Sequence, residues 1–143
     1  MTRPAVPGLL LIVAGILLAF VPHLLLPVCE STVTTASGGS VPMKCFWTAR
    51  AESGTGALIA MGGLLYCLCQ NTAVRFGIAA MTAGAALLAI AFPTLLIGVC
   101  PSEAMPCRMG TLPALVLVSA AVFIISLAAC RNCRRVMNHK DRS

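Results

Sequence analysis

Cysteines are the residues of this 143-residue chain best suited to chemistry, and there are eight of them. Four form two pairs, one in each predicted outer loop: Cys29 with Cys45, and Cys100 with Cys107. In an oxidising compartment the simplest outcome is one disulfide within each pair, because closing a short loop costs little entropy. Each bond would contribute roughly 2–4 kcal/mol. The cross-paired alternative, Cys29 with Cys100 and Cys45 with Cys107, stays open.

Two more specific functions, redox catalysis and copper binding, would use the same four thiols. One cysteine pair in each of two outer loops is the architecture of a quinone-coupled membrane disulfide oxidoreductase, in which Arg50 or Arg108 would activate a thiol or bind the quinone. Met43 and Met105, each two residues before a cysteine, add soft sulfur ligands that suit Cu(I). Neither pair has the C-x-x-C spacing of redox centres, and disulfides would consume the copper-binding thiols. Plain disulfides, with no cofactor and no metal, are therefore favoured.

The other four cysteines lie beside basic residues, as Cys67-x-Cys69 and Cys130-x-x-Cys133. Four thiolates would bind zinc if these two segments ended side by side. However, C-x-C is a poor zinc spacing, and free cysteines often pack as small hydrophobic residues. We therefore expect these thiols to pack rather than to bind a metal.

Acid–base chemistry finds little support in the sequence. The acidic residues Glu30, Glu52 and Glu103 are predicted to lie in outer loops, without paired carboxylates, which disfavours a hydrolase. His23 follows Pro22 within an apolar segment, which is typical of a buried polar group bonded to a freed carbonyl. Since no acidic residue falls within a predicted span, a proton-coupled transporter is not expected either.

The elements that position these residues follow from composition. Hydrophobic residues make up 59% of the chain and charged residues 10%, against about 25% charged residues in soluble domains. So few charges cannot cover a water-soluble surface, and the chain belongs in a bilayer, whose core of about 30 Å needs about 20 apolar residues per helix. We predict one all-α, polytopic membrane domain over residues 1–143, with four transmembrane helices at about 8–27, 54–69, 73–99 and 112–129, and outer loops at about 28–53 and 100–111.

Basic residues set the predicted orientation. Three of them, Lys44, Arg50 and Arg108, lie on the side of the outer glutamates, and the others share the opposite side: Arg3, Arg75, Arg131, Arg134, Arg135, Lys140 and Arg142. Loops rich in Lys and Arg stay in the cytoplasm, so both termini of this multi-pass cell-membrane protein are predicted to be cytoplasmic. The net charge of +6 then indicates contact with anionic lipid, not nucleic-acid binding.

An internal repeat supports the four-helix assignment. Both halves contain P-x-L-L-x-x-V-C and then M-x-C shortly before a threonine; the matching parts are Pro22–Cys29 with Pro93–Cys100, Met43–Cys45 with Met105–Cys107, and Thr48 with Thr111. The chain is therefore predicted to be two helical hairpins in parallel repeat, related by an axis along the membrane normal. A loop insert rich in Thr, Ser and Gly, residues 31–42, lengthens the first copy.

These motifs resemble those of an uncharacterised family of small four-helix prokaryotic membrane proteins. The resemblance covers nearly the whole chain, and it lies in the two Val-Cys segments and in the motif residues Met43, Lys44, Thr48, Glu52, Met105, Arg108 and Thr111. In that family a histidine commonly follows the first M-K-C, where this chain has Phe46, which weakens a metal-binding role. No activity is established for the family, so the resemblance implies a fold and a compartment rather than a reaction.

The favoured function is therefore that of a small non-enzymatic membrane protein that binds partners. It would be an accessory or regulatory subunit of an ABC-type export or cell-envelope complex, with disulfide-stapled outer loops as its recognition surface. Glycines within the predicted spans fit this role, because small residues let membrane helices approach closely, inside the bundle or against a partner. The alternative is the quinone-coupled thiol–disulfide oxidoreductase, and a Cu(I)-binding membrane protein ranks below it.

Overall fold

A computed structural model describes residues 5–21, 32–34, 40–42, 44–97 and 110–140. Four helices make up the fold: α1 (Ala5–Phe20), α2 (Lys44–Leu68), α3 (Thr72–Ala91) and α4 (Leu112–Lys140). A π-helical turn, Phe92–Leu96, continues α3. The predicted all-α, polytopic fold is confirmed.

A short hairpin of two strands lies between α1 and α2, in the insert that we predicted to be a loop. β1 (Thr32–Thr34) pairs antiparallel with β2 (Ser40–Pro42), and Val33 stands opposite Val41. Valine and threonine are β-branched and favour extended backbone, which explains why the two ends of this Thr- and Ser-rich insert pair.

Three of the helices are long and apolar enough to cross a membrane. Their candidate spans are Phe46–Leu68, Thr72–Leu96 and Leu112–His139. α1 is apolar but has only 16 residues, about 24 Å at 1.5 Å per residue. Its predicted continuation to residue 27 lies beyond Val21, outside the described residues. By helix length and composition, the chain is a membrane protein.

Two helices differ from their predicted bounds. α2 begins at Lys44 rather than near residue 54, because the charged residues of its first turns do not interrupt the helix. α4 continues past residue 129 to Lys140, because no glycine or proline stops it. The first difference corrects the predicted outer loop at 28–53: its last ten residues are helical and lie within the bundle.

The helices pack as two hairpins. α1 lies mainly against α2, and α3 mainly against α4, while contacts of α2 with α3 and of α1 with α4 close the bundle. We call the end where α2 and α4 begin the outer end, and the end with the turn between α2 and α3 the inner end. Successive helices are antiparallel, so α2 and α4 run parallel on one diagonal of the bundle. The repeat in the sequence stays a prediction, since most of its motif residues lie outside the described parts of the chain.

Buried positions recur along each helix at alternating spacings of three and four residues. On α4 they are Leu115, Ser119, Val122, Ser126, Ala129 and Cys133. On α3 the same spacing joins Ala79, Thr82, Ala86 and Ala89. A period of 3.5 residues is that of coiled coils, so the buried side chains of these helices follow a heptad register.

α1 and α2 touch backbone to backbone. A Cβ atom added to Gly15 would lie 2.5 Å from the backbone nitrogen of Ala60, and one added to Gly56 would lie 2.6 Å from that of Ala19. One heptad further inward, a Cβ atom on Gly63 would lie 2.8 Å from the carbonyl oxygen of Gly8. Because backbone cannot move aside as a flexible side chain can, these close approaches require glycine.

Candidate functional site

Among the described residues, the carboxylate of Glu52 lies wholly inside the bundle. Its exposed fraction is 0%, and neither carboxylate oxygen has a hydrogen-bond partner among the described residues. The next residue, Ser53, donates through Oγ to the carbonyl oxygen of Ala19 at 3.2 Å, which ties this turn of α2 to the outer part of α1. An unpaired carboxylate inside a membrane bundle is costly, so Glu52 is the first candidate for a functional group.

The position of Glu52 corrects the sequence analysis, which put it in an outer loop and expected no acidic residue within a span. The signal that could have located it is its spacing. Thr48, Glu52, Thr55, Ile59 and Tyr66 are all buried and follow the heptad pattern of α2. The stripe was missed because three of its first members are polar, and a hydropathy criterion does not count them as a core-facing row.

Ser119 on α4 is a second buried polar group whose oxygen has no partner among the described residues. Hydroxyls in membrane helices usually donate to a carbonyl one turn back. Thr55 does so, to Ala51 at 2.9 Å, and Thr94 donates to Ile90 at 2.6 Å. The Oγ of Ser119 forms no such bond and is held in the interior of the bundle.

Heptad register places Glu52 and Ser119 at the same level. At the inner end, Tyr66 on α2 meets Cys133 on α4 across the bundle, with Oη and Sγ 3.5 Å apart. Glu52 precedes Tyr66 by two heptads, and Ser119 precedes Cys133 by two heptads. Since α2 and α4 run parallel, two heptads along both helices arrive at the same depth, about 21 Å further out. The two unpartnered groups therefore face the interior at one level.

Two threonines lie at the outer end, above this level. Thr48 is one turn before Glu52, and Thr111 immediately precedes α4; both are buried. They are the two threonines of the predicted repeat. Thr111 lies eight residues before Ser119, which is about two turns further out. This part of the predicted motif is therefore buried at the outer end of the bundle.

Arg50 lies on the outside of the same helix. Its side chain is exposed, with Cζ 5.4 Å from the centroid of the Phe46 ring, and Phe46 in turn meets Trp47 edge to face at 5.7 Å. Aromatic and basic side chains of this kind are typical of the membrane–water interface. Arg50 therefore marks the outer boundary of the span and is not the partner of Glu52.

Most of the predicted thiol and metal chemistry falls outside the described residues. This holds for Cys29, Cys100, Cys107, Met43, Met105 and Arg108. Lys44 and Cys45 are placed only as backbone, in the first turn of α2. The two disulfides, the oxidoreductase alternative and the copper alternative are not shown and stay predictions.

The inner cysteines turn toward different neighbours. Cys133 meets Tyr66, whereas Sγ of Cys67 lies 3.8 Å from the carbonyl oxygen of Ala5 and Sγ of Cys130 lies 3.9 Å from that of Phe76. All four inner cysteines are free thiols, and no group of three metal-binding side chains occurs among the described residues. The two cysteine segments thus pack against separate helices at the inner end.

Arg75 completes the inner end. It begins the second turn of α3, donates through Nε to the carbonyl oxygen of Cys69, and places Cζ 5.7 Å from the centroid of the Tyr66 ring. It therefore caps the end of α2 and covers the contact between Tyr66 and Cys133, which is a structural role.

A family model for a domain of unknown function, DUF4418, matches residues 11–131, which include most of all four helices. The chain belongs to this family. The resemblance inferred from the sequence is thereby confirmed as regards the family and its four-helix membrane fold. No curated protein and no solved structure matches the chain.

Proposed function

We propose that this DUF4418 protein is a non-enzymatic subunit of a membrane complex, and that it docks on a transmembrane helix of its partner through one face of α3. The docking face consists of Ala73, Gly77, Ala80 and Gly84, which are all exposed. A Cβ atom added to Gly77 or to Gly84 would meet nothing within 4 Å. This open glycine face is the observation that carries the proposal.

The α1–α2 interface indicates what such a face accommodates. Gly77 and Gly84 are seven residues apart, as are Gly8 and Gly15, and Gly56 and Gly63. In the α1–α2 interface that spacing lets two helix backbones touch. Lipid tails are as apolar as leucine, so association within the membrane depends on close packing of this kind rather than on hydrophobic burial.

The borders of the docking face define the chemistry of the partner. Val74, Met81 and Leu88, with 46%, 77% and 52% of their surfaces exposed, are seven residues apart and form one apolar ridge along one side of the stripe. Leu87, which is 52% exposed, lies on the other side, so the small residues form a groove between them. The one charged side chain of α3, Arg75, lies away from this face, where it contacts the carbonyl oxygen of Cys69 and the Tyr66 ring. The groove fits an uncharged transmembrane helix that itself presents small residues.

The complex that we favour is an ABC-type export or cell-envelope system. Both termini would be cytoplasmic. The outer loops would be closed by disulfides at Cys29–Cys45 and Cys100–Cys107, and they would form a second contact surface. The exposed Arg131, Arg134 and Arg135 support this orientation: they lie on the inner part of α4, where basic residues favour the cytoplasmic side.

A photo-cross-linking residue placed at Ala80 in native membranes tests the docking. We expect a specific adduct with one other membrane protein, which is lost in Gly77→Leu/Gly84→Leu because leucine fills the groove. The matched control is Ala121→Leu/Ala128→Leu, a pair of exposed small residues with the same spacing on α4, which should keep the adduct. An adduct with a second copy of this chain, or with lipid alone, contradicts docking on a partner protein.

Reporter fusions test the orientation. Fusions after Arg3, Arg75 and Ser143 should all report the cytoplasm, and a fusion within residues 31–42 should report the exterior, because seven of the ten basic residues share one side. An exterior signal after Arg75 would refute the proposed threading.

Thiol trapping in intact cells separates the subunit from the oxidoreductase. A subunit with structural disulfides keeps Cys29, Cys45, Cys100 and Cys107 oxidised throughout growth. An oxidoreductase cycles, so a fraction of these thiols would be trapped in the reduced form and would change with the supply of oxidised quinone.

A further inference from the structure

We propose that Glu52 and Ser119 form an internal site for a single monovalent positive charge, either a proton or an alkali cation bound in its place, which enters from the outer end of the bundle. The site is separate from the docking face on α3, and it does not depend on the proposed partner. It rests on two fully buried polar side chains without partners and on the register that brings them to one level.

The chemistry of the two groups sets the charge of the ligand. A carboxylate supplies one negative charge and two acceptor oxygens, and a serine hydroxyl supplies a neutral oxygen that both donates and accepts. One positive charge neutralises the site. A divalent cation would leave a net positive charge in the interior, and such ions prefer several carboxylate and carbonyl ligands. A proton or an alkali cation therefore fits, and Mg²⁺ or Ca²⁺ does not.

No described charged side chain neutralises Glu52 from a neighbouring helix. The described part of α1 carries no charge, and α3 carries Arg75 at the inner end. Arg50 of α2 is exposed over Phe46, and Lys44 lies two turns before Glu52. The titratable groups of α4 all belong to its inner part, well below Ser119: Cys130, Arg131, Cys133, Arg134, Arg135, His139 and Lys140.

The site lies nearer to the outer end of the bundle than to the inner end, because Glu52 is eight residues from the start of α2 and sixteen from its end. Toward the outer end, the buried side chains include Thr48, Thr111 and Leu115. Toward the inner end, the core is deeper and includes Leu18, Ile59 and Val122, each with 0% of its surface exposed. The shorter route to Glu52 is therefore from the outer end.

Exchange at the site balances in charge and atoms. In the protonated form one oxygen of Glu52 holds the proton, and the O–H group donates to the Ser119 oxygen. When an alkali cation enters, the O–H bond breaks and one proton leaves to the outer solution, while both carboxylate oxygens and the Ser119 oxygen become ligands. The bundle interior stays neutral in both forms.

Infrared spectroscopy of the full chain in lipid nanodiscs tests the proposal through the C=O stretch of a protonated carboxyl group. This band should appear as the pH falls and disappear as it rises. Glu52→Gln should abolish it. Because the chain has only four acidic residues, Glu30→Gln/Glu103→Gln/Asp141→Asn leaves Glu52 as the sole acidic side chain and should retain the band, even if Glu52→Gln fails to fold.

Two further measurements distinguish an alkali cation from a proton and test the role of Ser119. If an alkali cation binds, raising Na⁺ or K⁺ against a choline background lowers the midpoint of the band by about one pH unit per tenfold increase, as one-for-one competition requires. If the midpoint does not move, the ligand is a proton alone. Ser119→Ala should shift the band frequency, whereas Ser126→Ala, one heptad further inward on the same helix, should not.

Three results would overturn the proposal. A band that persists at every pH and in every salt means a permanently neutral structural carboxyl group. A band that never appears means a permanently ionised Glu52, and its return in Arg108→Gln would identify an ion pair instead. A frequency that is unchanged by Ser119→Ala means that Ser119 takes no part.

Discussion

The two hairpins of this bundle use the same helical period but are held together by different contacts. Between α1 and α2, glycines let the two backbones touch, and the van der Waals contact is between main-chain atoms. Between α3 and α4, alanines fill the seam, and Thr82 and Ser126 add a hydrogen bond of 3.1 Å between the helices. The difference predicts which substitutions each hairpin tolerates: the first has no room for a methyl group, whereas the second already contains methyl groups.

Gly56→Ala gives the largest expected effect. The added Cβ would lie 2.6 to 3.0 Å from three backbone atoms of α1, so the helices must separate along the whole hairpin. We expect a loss of about 3 kcal/mol in the free energy of unfolding, at the upper end of overpacking effects. Steric trapping in bicelles measures this. Gly84→Ala, where the added Cβ meets nothing, is the control and should not lower stability, since helix propensity alone adds up to about 1 kcal/mol.

Ala86→Gly makes the opposite change in the other hairpin. Ala86 is fully buried on α3, and its loss removes one methyl contact and adds backbone freedom. Both terms are small, about 0.8 kcal/mol for the buried carbon and about 1 kcal/mol for helix propensity, so the expected loss is about 1–2 kcal/mol. The same unfolding assay checks it. A loss as large as that of Gly56→Ala would remove the contrast between the two hairpins.

The hydrogen bond between Thr82 and Ser126 carries the smallest effect. In a double-mutant cycle with Thr82→Val and Ser126→Ala, we expect a coupling energy of about 0.6 kcal/mol, since the unfolded state within the membrane also finds partners for hydroxyl groups. A coupling above about 2 kcal/mol would mean that this bond, rather than the alanine packing, holds α3 against α4.

The membrane fold could be predicted from the sequence because it depends on quantities that the sequence contains directly. Long apolar segments predicted the helices, and α3 and α4 began where expected. The start of α2 could not be found in this way, since Thr48, Arg50, Glu52 and Ser53 lower the local hydropathy although the backbone is helical. A hydropathy sum counts every polar residue against the helix, whereas the structure shows that Thr48 and Glu52 lie on its buried heptad stripe.

The candidate site was predicted only in part, for a related reason. Thr48, Glu52 and Thr111 were selected as motif residues, but the motif did not indicate how deeply their side chains lie in the bundle. Ser119 carried no signal in the sequence, because a serine within an apolar helix usually bonds to its own backbone. Its importance depends on a pairing between α2 and α4, two helices that are far apart in the chain, and only the bundle register provides it.

Glycines seven residues apart let α1 and α2 touch, and glycines with the same spacing on α3 form an open face for a partner helix. The most direct test measures two properties of Gly77→Leu/Gly84→Leu: its free energy of unfolding, and the native mass of the complex extracted in lipid nanodiscs. We predict an unfolding free energy no lower than that of the unaltered chain and a mass that falls to that of this chain alone. An unchanged mass, or a bundle that unfolds more readily, would contradict the account.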